Sequence, residues 1–186
     1  MKKIILSVVA VFAFGFANAQ DVPAGNGFSE GDKFVEGSLY IKSGDVDAWA
    51  FNPSMGYMLD DKWAIGGKLN FGGSGDVDTF GITAFTRYYF LSLGASKSFN
   101  AYGELGLGYS SVKDGDDTDS ELNANVDLGM NYFFTNHWAV SFELANILSY
   151  NNYNPENDDT SSDLTVNVNL FKNIFTQPTF GLLYRW

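Results

Sequence analysis

The sequence contains no cysteine and a single histidine among its 186 residues. Without cysteine the chain has no disulfide framework, so its stability must come from burial and backbone pairing. With one histidine and no cysteine, a catalytic triad of the Ser-His-Asp or Cys-His type is not available. These two absences exclude a disulfide-stapled scaffold and argue against a nucleophilic enzyme.

Basic residues are also scarce. The chain has 11 Lys and Arg against 22 Asp and Glu, which gives a formal net charge of −11 at pH 7. Binding to nucleic acid depends on a basic surface that neutralises phosphates, and no basic cluster of that kind is present. Nucleic acid is therefore not an expected partner.

The N-terminus has the pattern of a secretory signal peptide. Lys2 and Lys3 precede an apolar run, 4–16, and 17–19 read Ala-Asn-Ala, a small-residue cleavage site. No later stretch of about 18 apolar residues follows, which excludes a membrane-spanning helix. We therefore assign residues 1–19 to a signal peptide for export, 20–32 to a flexible leader and 33–186 to one domain.

The chain is rich in aromatic residues (17%) and in glycine (20 residues), a mixture typical of strands and tight turns. From Lys33 onward, apolar and other residues alternate in eight segments of about ten residues, the pattern of β-strands. In "WAIGGKLNF", for example, Trp63, Ile65 and Leu69 alternate with smaller or polar residues. The eighth segment, 164–186, is about twice that length; it is either one long strand or two strands interrupted near 172–178.

The links between these segments differ in length. Two are short turns, and the longer ones are acidic, which predicts an up-and-down antiparallel barrel with two chemically different rims. The short turns are 60–62 and 135–137, and the long acidic links are 43–47, 72–78, 113–121 and 151–163.

The volume of the apolar face indicates that it points outward. An eight-stranded barrel has an interior just wide enough to be filled by side chains or to hold one small ligand, and some thirty large apolar residues would overfill it. The small and polar face fits such a lumen. Aromatic residues at strand ends would then form girdles at the lipid–water boundaries: Trp49, Trp63, Phe90, Phe134, Trp138 and Trp186. The alternative is a soluble lipocalin-like carrier with its apolar face inside.

Several stretches resemble the small outer-membrane β-barrel proteins of Gram-negative bacteria, the OmpA/OmpX-type eight-stranded class. They are "DDKWAIGGKLNF", "TNHWAVSFEL", "RYYF" and the final "FGLLYRW". The resemblance implies an all-β transmembrane barrel in the outer membrane, with both termini periplasmic and outer-membrane lipid as its surroundings. It also implies recognition of the last strand by the outer-membrane assembly machinery, through Phe180, Leu182, Tyr184 and Trp186. Phe is the usual last residue, and Trp186 departs from it.

Charged residues on the inward face are the first candidates for function: Glu36, Lys68, Arg87, Glu104, Asp127, Glu143 and Arg185. Reflection of the strands about their turns places Arg87 beside Glu104, and Glu36 level with Lys68 on either side of Ser54. Buried ions need partners, so we expect a salt-bridge network in the lumen. Such a network is either a structural polar core or the gate of a narrow pore.

The remaining candidates are weaker. Some eight-stranded barrels of this class are lipid A acyltransferases or deacylases with a catalytic histidine near the outer leaflet, but His137 lies on a turn at the opposite end. The acidic link offers a weak calcium site: Asp114, Asp116, Asp117, Asp119 and Glu121. We therefore expect a non-enzymatic monomer without a cofactor, since a closed barrel has no free edge to pair. Its role would be envelope integrity or surface interaction through the acidic loops, with a narrow pore as the alternative.

Overall fold

The computed structural model describes residues 27–42, 48–94, 97–115, 117–155, 160–166 and 179–186. The predicted signal peptide and residues 20–26 of the leader lie outside these ranges. Among the described residues no helix is long and apolar enough to cross a membrane. The strands are β1 (Lys33–Lys42), β2 (Ala48–Met58), β3 (Trp63–Ser74), β4 (Val77–Leu93), β5 (Phe99–Asp114), β6 (Asp117–Phe133), β7 (Trp138–Asn154), β8 (Ser161–Val166) and β9 (Thr179–Arg185).

The sheet closes because the last strand returns to the first. Each strand from β1 to β7 pairs antiparallel with the next along the chain. β9 pairs with β1, where Phe34 lies opposite Arg185, and on its other side with β7, where Trp138 lies opposite Tyr184. Closure satisfies backbone groups between strands, as a barrel in lipid requires. The predicted eight-stranded antiparallel barrel, with its last strand paired to its first, is confirmed.

Two strands share the eighth position of the barrel. β9 pairs with residues 138–143 of β7, and β8 pairs with residues 148–153 of the same strand. The predicted segment 164–186 therefore falls on both β8 and β9, and its undecided part, 172–178, lies within residues 167–178, which are outside the described residues.

The strands run further than the apolar pattern indicated at one end of the barrel. β3 and β4 join through Gly75 and Asp76, and the ladder between β5 and β6 continues to the pair Asp114–Asp117. Gly75 and Gly115 have φ values of 61° and 62°, the left-handed conformation that such tight hairpins need. The expectation of long loops at 72–78 and 113–121 is therefore wrong, because backbone pairing continues through polar residues. Link 43–47 lies outside the described residues, as do residues 156–159 of link 151–163, whose two ends are the paired ends of β7 and β8.

These hairpins define the two ends of the molecule. We call the end with Lys33 and Trp186 the terminal end, and the opposite one the hairpin end. β4 to β7 have 16 or 17 residues each, whereas β1 to β3 have 10 to 12. The side of the barrel wall formed by β4 to β7 is consequently longer than the side formed by β1 to β3.

The large apolar side chains point away from the lumen. Leu107 and Ile82 are 61% and 57% exposed, whereas the inward Arg87 and Glu104 are 2% and 3% exposed. Such an apolar outer surface suits lipid and would be a large liability in water. The alternative of a lipocalin-like carrier with an apolar lumen is wrong, because the apolar face lies outside.

Aromatic rings nevertheless fill the lumen near the terminal end. We call five inward rings the aromatic layer: Phe34, Phe85, Tyr89, Tyr102 and Phe133, all nearly or fully buried. The rings fit because glycines lie beside them: a Cβ at Gly56 would overlap the Phe34 ring, and one at Gly129 would overlap Tyr102. Aromatic rings over glycines are a known way to fill the wall of a β-barrel.

Part of the predicted flexible leader is packed against this layer. Phe28 is 6% exposed and contacts the rings of Phe34, Tyr89 and Phe133. The expectation of a flexible leader is therefore wrong for residues 27–32, since an aromatic side chain in that segment gains burial inside the barrel mouth.

Candidate functional site

Arg87 is the centre of a cluster of charges at mid-height in the lumen. It lies directly opposite Glu104 in the β4–β5 ladder. Its Nη2 and Nε atoms donate hydrogen bonds to Oε2 of Glu104 at 2.7 and 2.9 Å, and its Nη1 donates to Oε2 of Glu36 at 3.0 Å. One guanidinium thus joins strands β1, β4 and β5 across the lumen.

The aromatic layer holds this guanidinium from below. Its Cζ atom lies 4.0 Å from the centroid of the Tyr102 ring, 5.3 Å from Phe85 and 5.4 Å from Phe34. A planar guanidinium can bind carboxylates at its edge while its face stacks on aromatic rings, which an ammonium cannot do. This arrangement explains why arginine rather than lysine suits the position.

Lys68 completes the cluster. Its Nζ donates to Oε1 of Glu104 at 2.9 Å, so Glu104 binds two cations, one on each carboxylate oxygen. Ser54 lies between Glu36 and Lys68 in the ladders, and its small side chain leaves room for both. We call Glu36, Lys68, Arg87 and Glu104 the lumenal charge network.

The space around this network is small and polar. A cavity of about 20 Å³ lies beside it, which is room for about one water molecule. Its lining includes hydroxyl and amide side chains as well as the network: Ser38, Asn52, Ser54, Ser141 and Thr179. The described part of the lumen therefore has no wide passage at this level.

Two of the predicted inward acids lie outside the network. Asp127 accepts a hydrogen bond from Nδ2 of Asn146 at 2.7 Å and another from Asn125. Glu143 lines the same small cavity and is solvent-exposed, with no ion-pair partner among the described residues. The described lumen thus holds more carboxylates than cations at this height.

Arg185 is not part of the lumenal charge network, contrary to expectation. Its Nη1 pairs with Oδ2 of Asp32 at 3.0 Å, and its Nε donates to the backbone oxygen of Asn136 at 2.7 Å. The guanidinium lies 4.7 Å from the centroid of Phe133. Because the last strand ends at the mouth of the barrel, its inward arginine reaches the terminal end rather than the centre.

The predicted girdle residues lie on the outer surface. Phe90 is 53% exposed and Trp63 44%, and the Trp63 ring centroid lies 4.7 Å from that of Tyr88 on the next strand, with the two ring planes tilted by 39°. Five of the six lie at the terminal end: Trp63, Phe90, Phe134, Trp138 and Trp186. Trp49 lies toward the hairpin end, opposite Ile41 and Gly73.

The outward residues of the last strand form an aromatic run along the seam with β7. Phe180 contacts Phe142, Tyr184 contacts Trp138, and Tyr184 stacks on Trp186 with ring centroids 6.0 Å apart. Leu182 lies opposite Val140 on the same side. The backbones of Trp186 and Lys33 exchange two hydrogen bonds of 3.0 Å, which fixes the C-terminus to the start of β1.

Neither the histidine nor the acidic hairpin forms a chemical site in the described part of the chain. His137 lies on the turn before β7, and its Nδ1 is 2.9 Å from the backbone oxygen of Arg185. Among the described residues no three His, Cys, Asp or Glu side chains are placed to hold a metal ion. Of the weak calcium candidates, Asp116 lies outside those residues, and Asp119 accepts a hydrogen bond from the Tyr153 hydroxyl. The others, Asp114, Asp117 and Glu121, lie along the β5–β6 hairpin.

The aromatic layer is what the sequence argument missed. Its members occupy the inward phase of their strands, in runs such as "RYYF" and "YFF" where both faces are aromatic. The available signal was a glycine directly opposite three of the rings in an adjacent strand: Gly56 opposite Phe34, Gly66 opposite Phe85 and Gly129 opposite Tyr102.

Comparisons with known proteins agree with this architecture. The model of the family described as outer membrane protein beta-barrel domain matches residues 6–182. The fold is similar to the N-terminal β-barrel domain of Pseudomonas aeruginosa OprF (13% identity, TM-score 0.53, 86% of this chain and 100% of that one). It is also similar to P. aeruginosa outer membrane protein OprG (16%, 0.50, 89% and 99%) and to Neisserial surface protein A (15%, 0.52, 83% and 96%). Curated protein sequences include no significant match.

Proposed function

Since the chain belongs to the outer membrane protein β-barrel domain family, we propose that it is a non-enzymatic structural protein of the bacterial outer membrane with a closed lumen. The observation that carries this proposal is Arg87, which binds Glu104 and Glu36 across the lumen. A side chain of that size, fixed by two carboxylates and three rings, leaves no room for a solute beside it. The protein would then act as a structural component of the membrane and through the surface that it exposes.

The orientation in the membrane is part of the proposal. We place the terminal end in the periplasm and the hairpin end outside the cell, because outer-membrane barrels have short periplasmic turns. The turns at 59–62 and 134–137 are short and lie at the terminal end. The extended wall of β4 to β7 would then rise above the membrane on the cell surface.

The outer extension supports a role in surface contacts. Acidic side chains occur along its hairpins, including Asp78, Asp114, Asp117 and Asp119. Paired strands hold them on a rigid ribbon rather than on loops, so a partner would meet a fixed arrangement of charges. A mixed acidic and hydroxyl surface also keeps this part of the protein hydrated.

A deletion strain tests the envelope role. Cells that lack the gene should become more sensitive to detergents and large antibiotics, and the wild-type gene should restore resistance. The double variant Asp114→Asn/Asp117→Asn should restore resistance equally if the barrel itself is what matters. Restoration by wild type alone would assign the role to the acidic hairpin, and unchanged sensitivity in the deletion strain would contradict the proposal.

A narrow pore is the second candidate, and one observation favours it. Glu143 lines the small cavity beside Lys68 without an ion-pair partner among the described residues, so a second acceptor for the Lys68 ammonium is nearby. Exchange of Lys68 between Glu104 and Glu143 would loosen the network. Proteoliposome swelling in small sugars discriminates the two candidates, since a closed lumen gives no swelling above empty vesicles.

A further inference from the structure

We propose that residues 27–32 are an intramolecular stopper that closes the lumen at the terminal end, with Phe28 seated in the aromatic layer. This closure is separate from the lumenal charge network and lies on its terminal side. With the stopper in place, the lumen is closed at the terminal end whether or not the lumenal charge network is intact.

The Phe28 ring lies inside the mouth of the barrel. Its centroid lies 5.4 Å from Phe34 on β1, 4.7 Å from Tyr89 on β4 and 5.1 Å from Phe133 on β6. These three strands are spaced around the barrel, so a ring that touches all of them lies near the barrel axis. With 6% exposure, Phe28 fills the mouth rather than resting on its rim.

The backbone of the segment is fixed on several sides. The Gly31 N–H donates to the Met58 carbonyl oxygen at 3.0 Å, and the Met58 N–H donates to the carbonyl oxygen of Asp32 at 2.8 Å. Gly27, with a φ of 63°, packs against Lys97 so closely that a Cβ there would lie 3.0 Å from the Lys97 carbonyl oxygen. The segment is thus held to β2 at one end and to the β4–β5 turn at the other.

Asp32 closes the turn and joins it to the last strand. Its Oδ2 accepts a hydrogen bond from the Ser29 N–H at 2.9 Å and pairs with Nη1 of Arg185 at 3.0 Å. The Arg185 guanidinium also lies 5.9 Å from the Phe28 ring centroid. One carboxylate therefore shapes the segment and attaches it to β9, which accounts for the position of Arg185 outside the charge network.

The stopper and the charge network meet at one residue. Tyr89 contacts Phe28 through its ring, and its hydroxyl accepts a hydrogen bond from Nη1 of Arg87 at 3.4 Å and donates one to Asn131 at 3.2 Å. The two closures are therefore stacked along the lumen. A reagent that enters from the hairpin end must pass Arg87 before it reaches the stopper.

Thiol accessibility tests the stopper, because the chain contains no cysteine of its own. Ala139 is fully buried in the same cluster as Phe28, and Ala139→Cys places a small reporter there. The purified folded protein in detergent is treated with a charged methanethiosulfonate reagent, and the modified fraction is followed by mass spectrometry. Gel mobility before and after boiling verifies that each variant is folded.

We expect the reporter to react slowly while Phe28 is present and at least about ten-fold faster after Phe28→Ala, since a buried thiol reacts only when its cover opens. Phe90→Ala is the matched control: it removes an aromatic ring at the same end, on the lipid-facing side, and should leave the rate unchanged. Rapid reaction with Phe28 present, or an equal rate with and without it, would overturn the proposal.

If Phe28→Ala does not fold, Asp32→Asn is the second variant that tests the stopper. It keeps the ring but removes the charge that binds Arg185, and it should raise the rate about three-fold or more through more frequent opening of the segment. No increase would overturn the stopper. A fast reporter in Phe28→Ala, in a barrel that still gives no swelling in sugars, would support both closures. Swelling by the wild-type protein would contradict both, whereas equal thiol rates without swelling would contradict the stopper alone.

Discussion

Arg87 and Glu104 lie directly opposite each other on β4 and β5, and two guanidinium nitrogens contact the same carboxylate oxygen at 2.7 and 2.9 Å. The pair is 2% and 3% exposed. Charges buried to this degree need partners, and removal of either one leaves the other with a single partner, Glu36 for Arg87 or Lys68 for Glu104. The interaction that we propose closes the lumen is therefore also one whose loss should destabilise the barrel.

Glu104→Gln should destabilise the barrel by about 3–5 kcal/mol, because Lys68 loses its carboxylate and Arg87 keeps only Glu36 in a buried site. The measurement is the urea midpoint of unfolding in detergent, read by the loss of the fast-migrating folded band on gels. Glu30→Gln is the matched control, since Glu30 is exposed at the terminal end. Equal midpoints for the wild type and Glu104→Gln would show that the network contributes nothing to stability.

Leu107→Arg should cost about 2–4 kcal/mol, because a charge at the midplane of the lipid-facing surface is poorly solvated. Leu107 is 61% exposed and points outward on β5. Leu59→Arg, at the terminal end of β2, should cost about 0–1 kcal/mol, since the membrane interface tolerates arginine. Folding titrations in lipid vesicles measure both. Equal costs at the two positions would be incompatible with a membrane-embedded midspan.

Gly66→Ala should lower stability by about 1–3 kcal/mol through overpacking. The added methyl group would overlap the Met55 carbonyl oxygen and the ring of Phe85. The adjacent Gly67→Ala is a close control, since its nearest atom would be the Thr83 carbonyl oxygen at 3.8 Å. Thermal unfolding of the two variants compares the cost of an added methyl group on the inward face of β3 with its cost on the outward face. A larger loss at Gly67 than at Gly66 would mean that the inward and outward faces of β3 are reversed.

Tyr153 should titrate at higher pH than an ordinary tyrosine. It lies near the hairpin end of β7, in the extension, and the hydrogen bond from its hydroxyl to Asp119 raises the pKa of the phenol. The neutral phenol donates that bond and the phenolate cannot, so ionisation must break it. NMR titration of labelled tyrosine rings should show Tyr153 shifted toward its ordinary pKa in Asp119→Asn. A Tyr153 curve that is identical in both proteins would contradict the contact.

Alternation along the strands predicted the barrel, and the volume of the large apolar side chains predicted which face points outward. The lipid-facing side chains and the lumenal polar residues have opposite phases, because successive side chains of a strand point to opposite faces. Reflection about one turn also placed Arg87 beside Glu104, because an antiparallel register is fixed once the turn is known.

Other features depend on information that alternation does not carry. The hairpins at Gly75 and Gly115 extend through polar residues, since ladder hydrogen bonds require no apolar side chains. Arg185 has the inward phase of its strand but lies at its end, so height along the barrel decides its partner. Phe28 precedes the first strand, and nothing in a local pattern indicates that the chain turns back into the mouth.

Single-channel recording of the purified wild-type protein in planar lipid bilayers tests the closed lumen most directly. The charge network and the aromatic layer predict a silent bilayer in concentrated potassium chloride, and Glu104→Gln should show at most brief openings while the stopper remains. Stable conductance steps from wild-type protein that is folded by the gel criterion would contradict the account. The barrel would then be a pore, and the Arg87 network would have to open in the membrane.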